Sequence, residues 1–320
     1  MSDFTALIIG CGPMGTASAK LCLEDSNFKD IVVADRNIQR AEHLAESLGS
    51  SVTALEVDCF QEDQVTRSLS GIAVVLNTTG PFGRDTMSFM RTVIEAGVPY
   101  ADINDDVETL QRVFESEYLD SLAKHRGVGV LPGLGASPGQ TNVLSRHLAG
   151  RMDIVEEVRF FMVNDASDSS ESVWRHRLAL FGQSVLLYDC GRWTQTPGMS
   201  EFQDIEFPSP WASIRCYAVG LETVTIPTSF PSLRHASVWR GFSDPTTTET
   251  LKGLIDSGFS AEDPVIVDGV PVSPAGMAAA MLAGSPPKGS GGVVDRLPRQ
   301  VRVKGIKDGR PAELTMTYSF

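Results

Sequence analysis

The chain has 320 residues, 42% hydrophobic and 21% charged, with a formal net charge of -13. That length supplies two domains and a sizeable core. The charge repels nucleic acid and anionic lipid, and no basic run offsets it. From five cysteines without CxxC spacing, neither a disulfide framework nor a zinc site follows. No basic segment precedes an apolar stretch at the N-terminus, and no apolar run is long enough to span a membrane. A cytoplasmic protein acting on a small molecule is the expectation.

The first 131 residues alternate strand and helix. Phe4 to Ile9 is apolar and runs into Gly10-Cys-Gly12-Pro13-Met14-Gly15. Thr16 to Leu23 then reads as a helix, with Ala17, Ala19 and Leu21 facing a sheet. Asp30 to Asp35 is a second strand and Gln39 to Leu48 a helix with Ala41, Leu44, Ala45 and Leu48 on one face. Strands follow at Ser51 to Val57, Ile72 to Asn77, Pro99 to Asp102 and Gly127 to Leu131, with helices at Asp85 to Glu95 and Val107 to Lys124. This alternation predicts a parallel sheet doubly wound by helices, with ligands beyond the carboxyl ends of the strands. Those ends read Gly10, Asp35, Asp58, Asn77-Thr78-Thr79-Gly80-Pro81 and Asp102.

Leu131-Pro-Gly-Leu-Gly-Ala-Ser-Pro-Gly139 breaks the pattern and reads as a hinge. The expected domains are a Rossmann domain over 1–138 and an α+β domain over 139–320. The second domain is expected to place its sheet over the cofactor groove. Gln140 to Leu148 and Glu171 to Tyr188 are its first predicted helices, with a strand at Ile154 to Val163 between them. Further strands are predicted at Ser213 to Val219 and His235 to Arg240, and helices at Thr247 to Ser257 and Pro274 to Ala283. Ser285 to Gly292 reads as a mobile loop, and Asp308-Gly309 joins two alternating runs as a hairpin.

The glycine run carries the first chemistry. In a strand–turn–helix context, Gly10 makes the tight turn, Gly12 admits a pyrophosphate and Gly15 lets helix and strand pack closely. The helix start, with Pro13 and Met14, aims backbone N–H groups and a positive dipole end at that anion. Asp35 lies about 20 residues beyond Gly15, where a carboxylate accepts the adenosine ribose hydroxyls. It favours NAD by repelling the 2′-phosphate of NADP, whereas the adjacent Arg36 is suited to a phosphate or to adenine, which keeps NADP open. Asp58 is a candidate for the adenine edge. Asn77, Thr78, Thr79, Gly80 and Asp102 line the expected groove.

Several segments together resemble the saccharopine dehydrogenase-like family. They are Gly10 to Gly15, Asn77-Thr-Thr-Gly-Pro-Phe82, Ala96-Gly-Val-Pro-Tyr-Ala-Asp-Ile103, and Leu131 to Gly139 with Asn142. Weaker similarity continues at Tyr188-Asp-Cys-Gly-Arg-Trp193, Ser232-Leu-Arg-His235 and Val272-Ser-Pro-Ala275. The chain departs from the family at Arg234 to Val238, where Arg-Tyr-Pro-Gly-His is common. The resemblance implies a Rossmann domain, a smaller α+β domain, and hydride transfer at a C–N bond of an amino-acid-derived substrate. Gly97-Val-Pro99 stands where glucose–fructose oxidoreductase-like enzymes carry Glu-Lys-Pro, which sets that rival aside.

In such a reaction the nicotinamide carries the hydride, and the protein holds the substrate and moves a proton. Trp174-Arg175-His176-Arg177 supplies candidates: arginine forks for a carboxylate and an imidazole for acid–base work. Arg175 and Arg177 are two apart on a helix, so they cannot both face one pocket. Arg234 and His235 form the second candidate pair. Cys11 reads as a small residue of the glycine turn, and no cysteine is placed for aldehyde oxidation. The expectation is an NAD(P)-dependent oxidoreductase acting on an amine/imine pair, assembled as a homodimer. Two alternatives are carbonyl or C=C reduction on the same scaffold, and a non-catalytic dinucleotide-binding sensor or scaffold.

Overall fold

The computed structural model describes residues 4–80, 82–165, 170–284 and 297–319. Pro81 and the 285–292 loop lie outside them. The chain divides into two compact units, Met1–Gln140 and Thr141–Phe320. Among the described residues no helix is long and apolar enough to cross a membrane.

The first unit is a six-stranded, all-parallel sheet with helices between its strands. Its strands are β1 (Phe4–Ile9), β2 (Phe28–Asp35), β3 (Val52–Glu56), β4 (Val74–Asn77), β5 (Tyr100–Asp102) and β6 (Val130–Leu131). They lie in the order β3-β2-β1-β4-β5-β6, so the order reverses between β1 and β4. The helices are α1 (Pro13–Glu24), α2 (Ile38–Leu48), α3 (Glu62–Ser68), α4 (Arg84–Glu95), α5 (Val107–Phe114) and α6 (Glu117–Arg126). β1 is central, and successive side chains of a strand point to opposite faces. Leu7 and Ile9 enter a core with Val57, Val65, Met90 and Ile94. Ala6 and Ile8 enter another with Ala19, Ile31, Val33 and Leu44. Burial on both faces explains why β1 reads as an unbroken apolar run.

Two local expectations are corrected. α1 buries Gly15, Ala19 and Cys22, a stripe at helical spacing, while Leu21 is 66% exposed and Ala17 also faces solvent. The helix predicted over Val107 to Lys124 is two helices. Ser116 breaks it by taking an extended conformation and capping α6, its side chain accepting from the Leu119 N–H at 3.2 Å.

The second unit is built on a mixed sheet of eight strands. α7 (Gln140–Ala149) leads into β7 (Ile154–Asn164), α8 (Glu171–Gly182), β8 (Val185–Asp189), β9 (Arg192–Thr196), β10 (Phe202–Glu206) and β11 (Ser213–Val219). Then come β12 (His235–Phe242), α9 (Pro245–Asp256), the hairpin β13 (Val265–Val267) and β14 (Val270–Val272), α10 (Pro274–Ala283), β15 (Pro298–Lys307) and β16 (Arg310–Ser319). The main path is β10-β11-β12-β7-β15-β16, and β8 joins through β12 and carries β9. β7 pairs parallel with β12 and antiparallel with β15. Phe161, Val163, Val185, Cys216 and Trp239 form a core within it. The predicted helix over Glu171 to Tyr188 ends at Gly182, and the aliphatic run that follows becomes β8. Trp174, Leu178 and Phe181 are the buried face of α8, with Trp174 stacked on Phe242 at 6.4 Å.

Candidate functional site

The β1–α1 turn uses its three glycines for different reasons. Gly10 has φ +101, and a β-carbon there would sit 2.9 Å from the Thr78 backbone. A β-carbon on Gly15 would collide with the Gly10 carbonyl oxygen. Gly12 is different: a β-carbon there would meet no atom within 4 Å. The fold therefore requires glycine at 10 and 15, while at 12 it leaves open space. Gly12 also caps α1 with no side-chain hydrogen bond, and the first turn of α1 holds no acid. With no acid in its own first turn, that helix start suits a phosphate. Pro13 fills the first turn without offering an N–H, and Met14 is exposed.

Thr78 locks the turn to β4. Its hydroxyl lies 3.0 Å from the Ile9 carbonyl oxygen and 2.8 Å from that of Gly10, and its N–H donates to Ile9. Asp35 locks the turn to β2: its carboxylate accepts from the Cys11 N–H and from the Asn37 N–H, each at 2.9 Å. A carboxylate offers about four acceptor positions, so Asp35 keeps capacity for a ligand hydroxyl. Arg36 is exposed beside it. A cavity of about 460 Å³ opens at the turn, lined by Gly12, Pro13, Thr16, Arg40, His43 and Ser47 among others. Arg40 and His43 are absent from the candidates read in the sequence. Their signal is position alone, one turn into the helix that follows Asp35.

Burial, reinforced by the Asp35 charge, pushes the Cys11 thiol up to about 12. Burial with the Asp58 charge brings Cys59 to about 11. Neither is a thiolate near neutrality, which agrees with rejecting thiol chemistry here. Asp58 accepts from the Phe60 N–H at 3.0 Å and so shapes its own loop.

Asn77, Thr79 and Asp102 belong to one buried network. Asn77 accepts from the Thr79 hydroxyl at 2.7 Å and donates to the Tyr100 hydroxyl at 2.8 Å. Tyr100 in turn donates to Asp102 at 2.9 Å. The other Asp102 oxygen accepts from the N–H groups of Asn104 (3.0 Å) and Gly133 (2.7 Å). Burial raises the Asp102 carboxyl above its ordinary range, and these donors pull it partly back. Asp102, expected to line the groove, is 2% exposed with both oxygens engaged, so its side chain braces loops instead. Gly80 is exposed with open space around it. Asn104 is fully buried, and its Nδ2 finds no hydrogen-bond partner among the described residues.

In the second unit, α8 does not offer two waiting arginines. Arg175 makes a two-bond fork to Glu262 at 2.8 and 2.6 Å, with both side chains about half exposed. Arg177 lies over the rings of Trp174 (4.8 Å) and Phe242 (5.3 Å) and donates to the Asp165 carbonyl at 2.6 Å. Burial lowers its guanidinium to about 10. His176 is exposed on the same helix. Arg234 is exposed just before β12, and the imidazole Nδ1 of His235 is 2.7 Å from the Asp189 carboxylate.

A strand–glycine turn–helix at the reversal of a parallel sheet, with a carboxylate at the end of β2, is the geometry of a dinucleotide-binding unit. Residues 6–128 match the model of the saccharopine dehydrogenase NADP binding domain. Carboxyaminopropylagmatine dehydrogenase of Synechocystis sp. is 24% identical over 318 residues, covering 95% of this chain and 78% of that one. The fold is also that of apo saccharopine dehydrogenase (L-Glu forming) from Saccharomyces cerevisiae. That match has a TM-score of 0.67 at 14% identity and covers 99% of this chain and 85% of that one. Residues 6–128 are thus similar to a saccharopine dehydrogenase NADP binding domain, and nearly the whole chain is similar to a dehydrogenase of an amine-derived compound.

Proposed function

We propose that this protein passes a hydride between a nicotinamide dinucleotide and the carbon of an amine/imine pair in a small amino-acid-like substrate. The observation that carries the reading is the contrast within the glycine turn: Gly10 and Gly15 face backbone, Gly12 faces open space. The C–N preference draws support from the relatives, a carboxyaminopropylagmatine dehydrogenase by sequence and a saccharopine dehydrogenase by family.

The dinucleotide, when bound, supplies or accepts the hydride. The chain's own residues do the rest. The start of α1 and Gly12 hold the pyrophosphate, and Thr78 keeps their geometry. Asp35 takes the adenosine ribose and thereby favours NAD. Arg40 on the cavity wall beside Gly12 favours a second reading, in which Arg36 and Arg40 grip a 2′-phosphate and NADP is the partner. Since Arg175 and Arg177 have partners of their own, Arg234 is our choice for the substrate carboxylate, and the exposed His176 for the proton.

The test is consumption of NADH and NADPH, followed at the nicotinamide absorbance band, with amines and 2-oxo acids offered singly and in pairs. The expected result is oxidation that needs both an amine and a carbonyl partner. Oxidation by the carbonyl compound alone would transfer the protein to carbonyl reduction. Tight dinucleotide binding with no turnover on any pair would make it a sensor. A homodimer is part of the proposal, and sedimentation of the purified chain checks it.

A further inference from the structure

The β8–β9 turn is a two-residue hairpin, Asp189-Cys190-Gly191-Arg192, closed by the Asp189–Arg192 pair. Cys190 has φ +49 and Gly191 φ +80. Both central residues of such a turn need positive φ, and the first is normally Asn, Asp or Gly. A β-carbon at the first position crowds the following carbonyl. Two other two-residue hairpins place Asp268 and Asp308 at this position, so the cysteine is the departure here.

Two other donors meet that thiol. Among the described residues, Asp189, Cys190 and His235 each offer one ligand atom within 4.8 Å of the others. The frame that holds them is tied on both sides of His235. The Gly191 N–H donates to the Arg234 carbonyl at 3.0 Å, and Ala236 pairs with Tyr188. Tyr188 and Trp193 brace the hairpin edge-to-face at 5.3 Å. The donors therefore stand on paired strands and one tight turn, not on a loose loop.

We propose that Asp189, Cys190 and His235 form a binding site for a zinc-class divalent cation. Thiolate, imidazole and carboxylate together are the donor set of zinc, whereas magnesium and calcium take oxygen alone. An Asp–His pair used for acid–base work has no need of a thiol at its side. The 2.7 Å between His235 Nδ1 and Asp189 Oδ1 must open to about 3.3 Å around a tetrahedral ion. Both side chains are partly exposed, at 38% and 58%, so small χ rotations allow it. Three protein donors leave a fourth position for water or a ligand. On binding, the Cys190 thiol gives up its proton to solvent. The site does not depend on the hydride-transfer reading.

The test uses the full chain, stripped with a chelator and titrated with Zn²⁺ and then Co²⁺. The expected result is one equivalent bound, with a thiolate-to-cobalt charge-transfer band. Cys190→Ser should abolish the band and weaken Zn²⁺ by at least about tenfold. His235→Gln should weaken it similarly. Alkylation gives a readout independent of mutation. Cys190 is the exposed thiol, while burial pushes Cys11, Cys22, Cys59 and Cys216 up. Zn²⁺ should therefore slow the fast phase at least about tenfold. The proposal is overturned if no equivalent binds, if saturating Zn²⁺ leaves Cys190 alkylation unchanged, or if folded Cys190→Ser binds Zn²⁺ as tightly as wild type.

Discussion

The two units each contain a tight turn at a chemically interesting place, and they treat side chains in opposite ways. In the β1–α1 turn, side chains are excluded: by backbone contact at Gly10 and Gly15, and by nothing in the protein at Gly12. In the β8–β9 turn, a side chain is kept at Cys190, where the backbone prefers a smaller or more tolerant residue. A glycine the fold does not need and a cysteine the fold does not favour are the same kind of evidence. Each motivates one of the two proposals above, a dinucleotide at Gly12 and a cation at Cys190.

Breaking the packing member of the first turn should have the largest effect. Gly15→Val drives a side chain into the Gly10 carbonyl, which lies in the tight turn directly after the central strand and has little room to yield. We expect a loss of about 3 kcal/mol or more, read as a collapse of the urea midpoint of the first unit. Gly12→Val should leave that midpoint within about 0.5 kcal/mol of wild type, because the space is open. It should weaken NAD(P) by about 100-fold or more, roughly 2.7 kcal/mol by calorimetry. Equal affinity in the folded variant would remove the ligand argument from Gly12.

Asp35→Ser comes next. Losing the charge should shift the NAD-to-NADP preference by about tenfold toward NADP, near 1.4 kcal/mol. A wild type that already prefers NADP would pass the role to Arg36 and Arg40. The smallest effect is at the other turn. Cys190→Asn relieves the left-handed backbone and should raise stability by about 0.5 kcal/mol. A fall in the unfolding midpoint instead would show that the cysteine stabilises the hairpin, and the contrast between the turns would vanish.

The first unit was nearly all legible in the sequence, for a physical reason. Parallel strands such as β1 are buried on both faces and stand out as apolar runs, and each crossover supplies its own punctuation. α3 escaped because seven residues are too few for a periodic stripe. The second unit was harder. Val185 to Asp189 continues the apolar spacing of α8, so only pairing with β9 and β12 decides that it is a strand. The placement of β7 between β12 and β15 depends on distant pairings that no local window contains. At the candidate site, Gly10, Gly12, Gly15 and Asp35 were readable from spacing. Arg175 and Arg177 carried the right chemistry but not their partners: Glu262 and Phe242 lie far along the chain. The Asp189–Cys190–His235 group has the same character, since 45 residues separate Cys190 from His235.

The Asn77–Tyr100–Asp102 network has a consequence for motion. Its side-chain bonds tie the ends of β4 and β5 to the backbone at Asn104 and Gly133, beside a backbone bond from the Leu134 N–H to the Asp102 carbonyl at 2.6 Å. None of these peptide groups can open to solvent without breaking into the same buried cluster. The amide protons of Thr79, Asn104 and Gly133 should thus exchange with deuterium at a common rate, as one cooperative opening, although 54 residues of chain separate the first from the last.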